Sequence, residues 1–368
     1  MIFSPNDYLF MTQALRLAER GLYTTMPNPR VGCVIVKDGL VLGSGWTQPA
    51  GQDHAEIQAL KHCNADPRGA DVYVTLEPCS HFGRTPPCCD ALINAGIRRV
   101  VAAMQDPNPL VAGNGLARLK ASGIEVNHGL LQEQALALNA GFISRMTRGR
   151  PFVRSKIAAS LDGRTALANG ISQWITGEAA RHDVQHWRAC ACAILTGVGT
   201  VLADNPQMNV RNLDIGRQPL RVVVDSRLRI SPQAKILQGG NTLIAYAQDP
   251  HKKHQALQAA GAELIQLTNA ENRVCLKRLL EELARREINE LMVESGQGLN
   301  GALLALNLID EFLFYYAPLL LGDKAKGMFA MPALTEMSQR TPLDIFDVRQ
   351  IGCDIRIRAR PTSPNHAD

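Results

Sequence analysis

The sequence predicts an α/β protein of two domains, and three observations lead to this fold class. The chain has 368 residues, which is long for one domain and suits two. In both halves short β-rich runs alternate with helical patterns, as in layered α/β domains. Residues 145–151 between the halves are basic and contain glycine and proline, as is typical of a linker. We therefore expect a first domain over 1–147, a second over 148–360 and a disordered tail over 361–368.

The first half predicts a regular succession of helices and strands. A helix begins near Ser4 and ends at Gly21, with apolar residues at helical spacing between them. The pair Asp38-Gly39 marks a hairpin turn between two β-rich runs. The remaining pattern predicts strands at 31–36, 40–45, 71–76, 99–104 and 123–128, and helices at 54–62, 87–95 and 132–145.

The second half starts a new series of elements after the linker. It predicts strands at 152–157, 193–196, 220–224, 242–245, 290–294 and 311–317, and helices at 177–188, 253–260 and 274–286. Residues 296–301 read G-Q-G-L-N-G, a G-x-G-x-x-G between a predicted strand and a predicted helix. Such glycines let backbone N–H groups at a helix N-terminus approach a phosphate, although a tight strand-to-helix turn is the alternative.

Composition narrows the class of function. With 46% apolar residues, 20% charged residues and a net charge of +5, the chain is an ordinary globular protein suited to a small anionic ligand. The modest charge and 5% aromatic residues do not favour a nucleic-acid binder. Nine cysteines in so long a chain indicate a reducing cytoplasm rather than a disulfide scaffold. We find neither a secretory leader nor an apolar run near the roughly 20 residues that span a bilayer.

The residues between 51 and 90 carry the clearest chemistry. The motif H-A-E begins at His54, and the motif P-C-S-H contains Cys79. Two further thiols follow at Cys88 and Cys89. One imidazole, two thiolates and a non-ligating glutamate form the catalytic zinc site of hydrolytic deaminases, whose signature is H-x-E…P-C-x-x-C. Here the spacing is P-C-x8-C, a departure from that signature. In this site Glu56 would carry the water proton to the leaving amine.

Two interpretations without catalysis compete with a catalytic zinc site. In the first, Cys89 or His81 is a fourth ligand that closes a structural site, and Glu56 is an ordinary surface residue. In the second, the cysteines are merely buried. The flanking glycines and prolines disfavour the second interpretation, and the position of the glutamate beside the histidine disfavours the first.

Nine segments of the chain together resemble the bifunctional deaminase/reductase family of riboflavin biosynthesis. The resemblance extends from about residue 7 to residue 352. Its segments are residues 27–36, 54–56, 75–81, 83–88, 105–109, 158–164, 172–176, 199–206 and 224–226.

The resemblance implies a fold, a reaction sequence and cofactors. The fold is an N-terminal cytidine deaminase-like three-layer α/β/α domain followed by a C-terminal dihydrofolate reductase-like α/β domain. The first domain, with one Zn²⁺, would deaminate 2,5-diamino-6-(5-phosphoribosylamino)pyrimidin-4(3H)-one to 5-amino-6-(5-phosphoribosylamino)uracil. The second would use NADPH to reduce this product to 5-amino-6-(5-phosphoribitylamino)uracil. We also expect a cytoplasmic homo-oligomer, either a dimer or a tetramer, that binds neither nucleic acid nor a membrane.

The resemblance also implies roles for individual residues. In the family the zinc ligands follow P-C-x8-C, so the metal ligands would be His54, Cys79 and Cys88, and Glu56 would be catalytic. NADPH would contact Ala158, Trp174, Thr200, Asp204, Ser226, Gly296, Gln297, Gly298, Leu299, Asn300, Gly301 and Ala302. The substrates would contact Asn28, His81 and Arg84 in the first domain and Ser172, Arg188, Met208, Arg211 and Glu294 in the second.

Some of these residues have simpler interpretations. Arg84 could be a solvated loop cation, the other arginines could form surface ion pairs, and Trp174 could be a core aromatic. Met208 stands where this family is expected to have leucine. Two rival functions remain. The chain could be a zinc deaminase of nucleic-acid bases, or a non-catalytic zinc protein that binds NADPH as a sensor or scaffold.

Overall fold

The computed structural model describes residues 3–81, 86–109 and 111–362. The chain forms two compact units, Met1–Arg150 and Pro151–Asp368. The last helix of the first unit continues to Arg148 and therefore occupies much of the predicted linker. Within the described ranges, no helix is long and apolar enough to cross a membrane.

The described part of the first unit contains one sheet and six helices. The strands are β1 (Gly32–Lys37), β2 (Leu40–Trp46), β3 (Asp71–Val74), β4 (Arg99–Ala102) and β5 (Glu125–His128). The helices are α1 (Pro5–Glu19), α2 (Ala55–Lys61), α3 (Cys88–Asn94), α4 (Asn114–Ala121), α5 (Gln132–Leu138) and α6 (Ala140–Arg148). The strand order is β2-β1-β3-β4-β5. Strand β1 is antiparallel to β2 and β3, whereas β3, β4 and β5 are parallel.

Glycines in the first two strands show that helices cover both faces of this sheet. A Cβ atom on Gly32 would lie 1.9 Å from the carbonyl oxygen of Ala14 in α1, and one on Gly45 would lie 2.6 Å from that of Ala55 in α2. Gly45 pairs directly with Cys33, the neighbour of Gly32. Since successive strand residues point to opposite faces, α1 and α2 lie on opposite sides of the sheet. The predicted three-layer α/β/α arrangement is confirmed.

One predicted helix of the first unit is wrong, and one helix was missed. The pattern over 132–145 predicts a single helix, but the structure has α5 and α6, which meet at Asn139. The buried Asn139 carboxamide accepts a hydrogen bond from the Arg30 N–H at 2.8 Å and donates one to the Arg30 carbonyl at 2.9 Å. This long-range pairing bends the chain, and residue periodicity cannot reveal it. Helix α4 is short and lies between glycines, so its pattern escaped the sequence analysis.

The described part of the second unit contains one large sheet and a small ribbon. The strands are β6 (Phe152–Ser160), β7 (Arg164–Ala166), β8 (Ala193–Gly197), β9 (Leu220–Val224), β10 (Thr242–Tyr246), β11 (Ala262–Gln266), β12 (Glu290–Val293), β13 (Glu311–Ala317), β14 (Lys326–Gly327), β15 (Leu343–Ile351) and β16 (Asp354–Pro361). The helices are α7 (Glu178–Cys190), α8 (Val198–Asp204), α9 (His254–Ala259), α10 (Leu276–Arg285) and α11 (Gln297–Ala305). The large sheet has the order β11-β10-β9-β8-β12-β6-β13-β16-β15, and β7 pairs with β14.

The direction of the strands determines where a ligand can bind in the second unit. From β11 to β13 every neighbouring pair is parallel, whereas β16 and β15 are antiparallel additions. The carboxyl ends of β9, β8, β12 and β6 therefore meet at one edge of the sheet. In open α/β sheets this edge is the usual ligand site.

The hairpin of β15 and β16 was not predicted, because charged residues interrupt its apolar pattern and most of β15 is exposed. Strand β16 ends at Pro361, which pairs with Leu343, so the first residue of the predicted tail lies in the sheet. Residues 363–368 lie outside the described part of the chain.

Candidate active sites

Three residues from separate elements meet in the first unit. His54 is the N-cap residue of α2, Cys79 lies in the loop after β3, and Cys88 is the first residue of α3. The Nδ1 atom of His54 lies 3.6 Å from the Cys79 sulfur and 3.3 Å from the Cys88 sulfur. The backbone N–H of Cys88 donates to the Cys79 sulfur at 3.3 Å. Potential metal ligands are the side chains of histidine, cysteine, aspartate and glutamate. Among the described residues, these three form the one group of at least three whose ligand atoms all lie within 4.8 Å of one another.

The geometry and chemistry of this group fit zinc. Tetrahedral zinc with Zn–S bonds of about 2.3 Å and Zn–N bonds of about 2.1 Å places sulfur and nitrogen ligands about 3.6 Å apart. The sulfur–nitrogen distances of 3.3 and 3.6 Å are close to this value. Three protein ligands also leave one coordination position for water or substrate, as catalytic zinc requires.

The two adjacent thiols of α3 point in different directions. The Cys89 sulfur donates to the carbonyl oxygens of Pro78 and Gly115, at 3.2 and 3.5 Å. The Cys88 sulfur instead lies beside His54. The structure thus places Cys88 in the metal site and commits Cys89 to holding the loop before Cys79.

Glu56 lies in the first turn of α2, with only 4% of its surface exposed. Burial raises the pKa of its carboxyl group to about 7, and the nearby Cys79 adds to this increase. His54 and Cys88 act in the opposite direction, so the carboxyl group lies close to two of the candidate metal ligands. A buried carboxyl group beside a metal site, with a pKa near neutrality, is suited to carry a proton.

Two further acidic residues border this site, and the sequence analysis assigned them no role although both lie in the quoted motifs. Asp106 follows β4; burial raises the pKa of its carboxyl group to about 6, and Glu77 and Cys79 add to the increase. Its Oδ1 atom accepts a hydrogen bond from the Asn108 N–H at 2.8 Å. Glu77 lies two residues before Cys79 and is 3% exposed. An acidic residue inside each of these loop motifs was the signal available in the sequence.

The three residues expected to bind the first substrate are less closely defined. His81 is exposed and lies near Asp106, on whose carboxyl group it acts electrostatically. Asn28 is partly buried in the loop between α1 and β1, where its N–H donates to the carbonyl of Thr25. Arg84 lies outside the described residues.

The second unit brings together Arg188, Glu294 and Met208. The guanidinium of Arg188 forms two hydrogen bonds to the Glu294 carboxylate, at 2.6 and 3.0 Å, and a third to the carbonyl of Asn209 at 2.9 Å. The side chains of Arg188 and Glu294 are only 11% and 10% exposed, so a surface ion pair is the wrong interpretation here. Burial acts to raise the pKa of Glu294, but Arg188 outweighs burial and holds the pKa below its ordinary value.

Lys156 is a residue of this site that the sequence analysis missed. It lies on β6, and burial lowers the pKa of its ammonium group while Glu294 opposes this change. Lys156 and Arg211 both lower the pKa of Glu294, so three cations surround this carboxylate. A lysine within the predicted strand 152–157 was the available signal, although Arg154 in the same strand weakens it.

Several of the predicted cofactor residues lie at or shortly after the carboxyl ends of parallel strands. Ala158 is near the end of β6, Thr200 lies in α8 directly after β8, and Ser226 follows β9. The hydroxyl of Ser172 donates to Asp204 Oδ1 at 3.2 Å, which joins a predicted substrate residue to a predicted cofactor residue. These positions converge on the edge of the sheet where ligands bind in such folds.

The glycine motif opens α11 after β12, and its glycines have different surroundings. A Cβ atom on Gly296 or Gly298 would meet no other atom within 4 Å, which leaves their backbone open to a ligand. A Cβ atom on Gly301 would lie 2.1 Å from the carbonyl oxygen of Ala330, so this glycine is required by packing. The Asn300 carboxamide is bonded to Ser295, and its side chain holds the helix in place. The open backbone at a helix N-terminus suits the phosphates of a dinucleotide.

Trp174 is 68% exposed, so its interpretation as a core aromatic is wrong. The guanidinium carbon of Arg181 lies 4.8 Å from the centre of its ring. An exposed, cation-covered ring offers a surface on which a flat ligand can stack.

Comparisons with known proteins agree with this two-site architecture. A family profile described as the cytidine and deoxycytidylate deaminase zinc-binding region matches residues 4–104, and one described as the RibD C-terminal domain matches residues 151–357. The riboflavin biosynthesis protein RibD of Escherichia coli is 46% identical over 362 residues, which cover 95% of this chain and 98% of that protein. The corresponding protein of Haemophilus influenzae is 45% identical and covers 98% of both chains.

Solved structures show the same similarity. Acinetobacter baumannii RibD superimposes with a TM-score of 0.91 at 46% identity, over 97% of this chain and 99% of that one. A Thermotoga maritima diaminohydroxyphosphoribosylaminopyrimidine deaminase/5-amino-6-(5-phosphoribosylamino)uracil reductase superimposes with a TM-score of 0.86 at 32% identity, with the same coverage. The chain therefore belongs to the RibD family of riboflavin biosynthesis enzymes, which join a zinc-dependent deaminase domain to a reductase domain.

Proposed function

We propose that the first unit deaminates 2,5-diamino-6-(5-phosphoribosylamino)pyrimidin-4(3H)-one and that the second reduces the resulting 5-amino-6-(5-phosphoribosylamino)uracil to its ribityl form. The observation that carries the first assignment is the convergence of His54, Cys79 and Cys88 beside the buried Glu56. The second is supported by the cationic site around Glu294 next to an open helix N-terminus.

In the deaminase step we assign proton transfer to Glu56. Zinc, when held by His54, Cys79 and Cys88, acts as a Lewis acid that makes water a nucleophile at neutral pH. The Glu56 carboxylate accepts a proton from the attacking water and delivers it to the departing amino group, so water and substrate yield the carbonyl product and ammonia. Asp106 and His81 border the site, and we assign them to substrate binding.

In the reductase step the protein binds and orients the cofactor and the substrate, and it supplies a proton. NADPH, when bound along Gly296 and Gly298 with Trp174, Thr200, Asp204 and Ser226, supplies hydride for C1′ of the ribosyl group.

Arg211 is suited to the substrate phosphate, because guanidinium groups bind phosphate in a bidentate manner. Arg188 can add only the N–H groups that Glu294 and Asn209 do not already hold. The Lys156 ammonium beside Glu294 can protonate the ring oxygen as the C1′–O bond opens, and Glu294 then orients Lys156 and Arg188. Holding the nicotinamide close to C1′ supplies much of the rate.

Replacing Glu56 by Gln tests this function. Loss of the proton carrier should lower the deamination rate by about 10²- to 10⁴-fold, while metal analysis still finds zinc. The same variant should oxidise NADPH at the wild-type rate when the deaminated compound is supplied directly. Full deaminase activity in a zinc-loaded variant would refute the role of Glu56, and loss of both activities in a folded variant would refute the two-site arrangement.

We further propose that the enzyme acts in the cytoplasm as a homo-oligomer, a dimer or a tetramer, on a free nucleotide. Nine cysteines in a chain of 368 residues are too few for a disulfide scaffold and suit a reducing compartment. Deamination of the free nucleotide should be insensitive to moderate salt, unlike an activity on nucleic acid. Sedimentation velocity gives the number of associated chains.

A further inference from the structure

The buried Glu77 makes an unusual set of contacts next to the candidate zinc site. Its carboxylate accepts four backbone N–H bonds, at distances between 2.8 and 3.3 Å. One oxygen accepts from Asp106 and Gly113, and the other accepts from Gly115 and Leu116. Glu77 thereby joins the loop that carries Cys79 to the segment that begins at Asp106 and to the start of α4.

The same junction is closely packed. A Cβ atom on Gly115 would lie 2.0 Å from the Pro78 carbonyl oxygen and 3.1 Å from Glu77 Oε1. The Cys89 thiol donates to the carbonyl oxygens of both Pro78 and Gly115. The residue directly before the metal ligand Cys79 is therefore held on two sides, and small displacements at this junction must move the ligand.

We propose that Glu77 is a positioning residue of the deaminase, which sets the Cys79 thiolate and the Asp106 carboxyl group in the relative places that the reaction needs. This inference rests on the proposed zinc site. Asp106 and Cys79 are 27 residues apart in the chain. Glu77 precedes Cys79 by two residues, and its carboxylate accepts a hydrogen bond from the backbone N–H of Asp106. Glu77 itself has no part in metal binding or in proton transfer.

The alternative is that Glu77 only stabilises the fold. The two roles differ in what they predict for a folded variant. A stabilising residue changes the melting temperature alone, whereas a positioning residue also changes the ligand field of the metal and the turnover of bound substrate. In metal sites, loss of a group that orients a ligand typically costs about 10- to 100-fold in metal affinity or activity.

Glu77→Gln is the informative change, because its amide has one acceptor oxygen and its NH₂ group faces N–H donors. At least two of the four N–H groups lose their partner. With Co²⁺ in place of zinc, we expect altered visible bands, faster loss of metal to a chelator and a kcat for deamination about 10- to 100-fold lower, with reduction of the deaminated substrate unchanged. Glu77→Asp, which keeps the charge but shortens the side chain, should be intermediate.

The control is Glu133→Gln, which removes an exposed carboxylate from α5 and should leave all these properties unchanged. Gly115→Ala disturbs the junction from the opposite side and should reproduce the spectral change if Glu77→Gln does not fold. Unchanged cobalt bands and deaminase kinetics in folded Glu77 and Gly115 variants would overturn the inference. Absence of thiolate–cobalt bands in the wild-type protein would instead overturn the proposed zinc site.

Discussion

At the scale of single residues, Cys88 and Cys89 show how neighbours acquire different roles. Both are buried at the start of α3. A helix turns by about 100° per residue, so adjacent side chains cannot face the same site. The Cys88 thiol consequently lies beside His54, and the Cys89 thiol lies against two carbonyl groups.

We expect Cys88→Ser to lose zinc and to lower deamination by roughly 100-fold or more, because serine is a poor zinc ligand at neutral pH. Cys89→Ser should retain zinc and activity, since a hydroxyl can donate to the same carbonyl oxygens. Metal analysis of the two purified variants measures the difference. Equal zinc loss in both variants would show that the assignment of the third ligand is wrong.

At the scale of elements, helix α1 is held to the sheet by a charged contact at its first turn. Ser4 and Asp7 form a capping box, in which the Asp7 N–H donates to the Ser4 hydroxyl. Asp7 also accepts hydrogen bonds from the Tyr73 hydroxyl of β3 at 2.7 Å and the Arg99 guanidinium of β4 at 2.9 Å. Because the cap and the tertiary contacts share one carboxylate, the start of α1 depends on the charge of Asp7.

This contact makes the stability of the protein depend on pH. Burial acts to raise the pKa of Asp7, but the hydrogen bonds from Arg99, Tyr73 and Ser4 outweigh it and lower the pKa from 3.8 to about 2. A carboxylate with a lowered pKa stabilises the fold above about pH 4, and this contribution disappears as the pH falls towards about 2. Asp7→Asn should therefore lower the free energy of unfolding by about 2 kcal/mol near neutrality.

Urea unfolding near neutral pH and at about pH 2.5 measures this effect. The stability difference between wild type and Asp7→Asn should shrink by half or more at the lower pH. Asp38→Asn, in the exposed turn between β1 and β2, is the matched control and should show no such trend. A deficit that is equal at both pH values would contradict an electrostatic role for Asp7.

At the scale of the whole molecule, each unit has its own sheet, apolar core and candidate active site. The candidate deaminase residues lie between 28 and 106, and the candidate reductase residues lie between 156 and 302. We therefore expect the two reactions to use separate sets of side chains.

A mixture of two inactive variants tests this separation. Glu56→Gln should block deamination, and Glu294→Gln should block reduction because it weakens the buried partner of Arg188 and Lys156. Neither protein alone should make the ribityl product from the diamino substrate, whereas the mixture should make it after a lag as the intermediate diffuses. Accumulation of the intermediate without product, in the presence of active partners, would contradict independent sites.

Much of the architecture was predictable from the sequence. Ser4, Asp38-Gly39 and the alternating apolar runs identify most helices and strands, because capping, turns and periodicity are local properties. The break of the predicted helix at Asn139 and the hairpin of β15 and β16 were not predictable. Both depend on pairing with residues that are distant in the chain or on an exposed edge where the apolar alternation is weak.

The sequence by itself determined the α/β class, the two-domain organisation and the chemistry of the first site, since His54, Glu56 and Cys79 lie in motifs whose residue types permit few other roles. Residue spacing left the third ligand open between Cys88 and Cys89, and the family resemblance implied Cys88, whose sulfur the structure places beside His54. Only the tertiary structure brings Glu77, Asp106 and Lys156 to the two candidate sites. The reason is physical: residue type and spacing define local geometry, whereas the direction of a side chain and its buried charged partners depend on the packing of elements far apart in the chain.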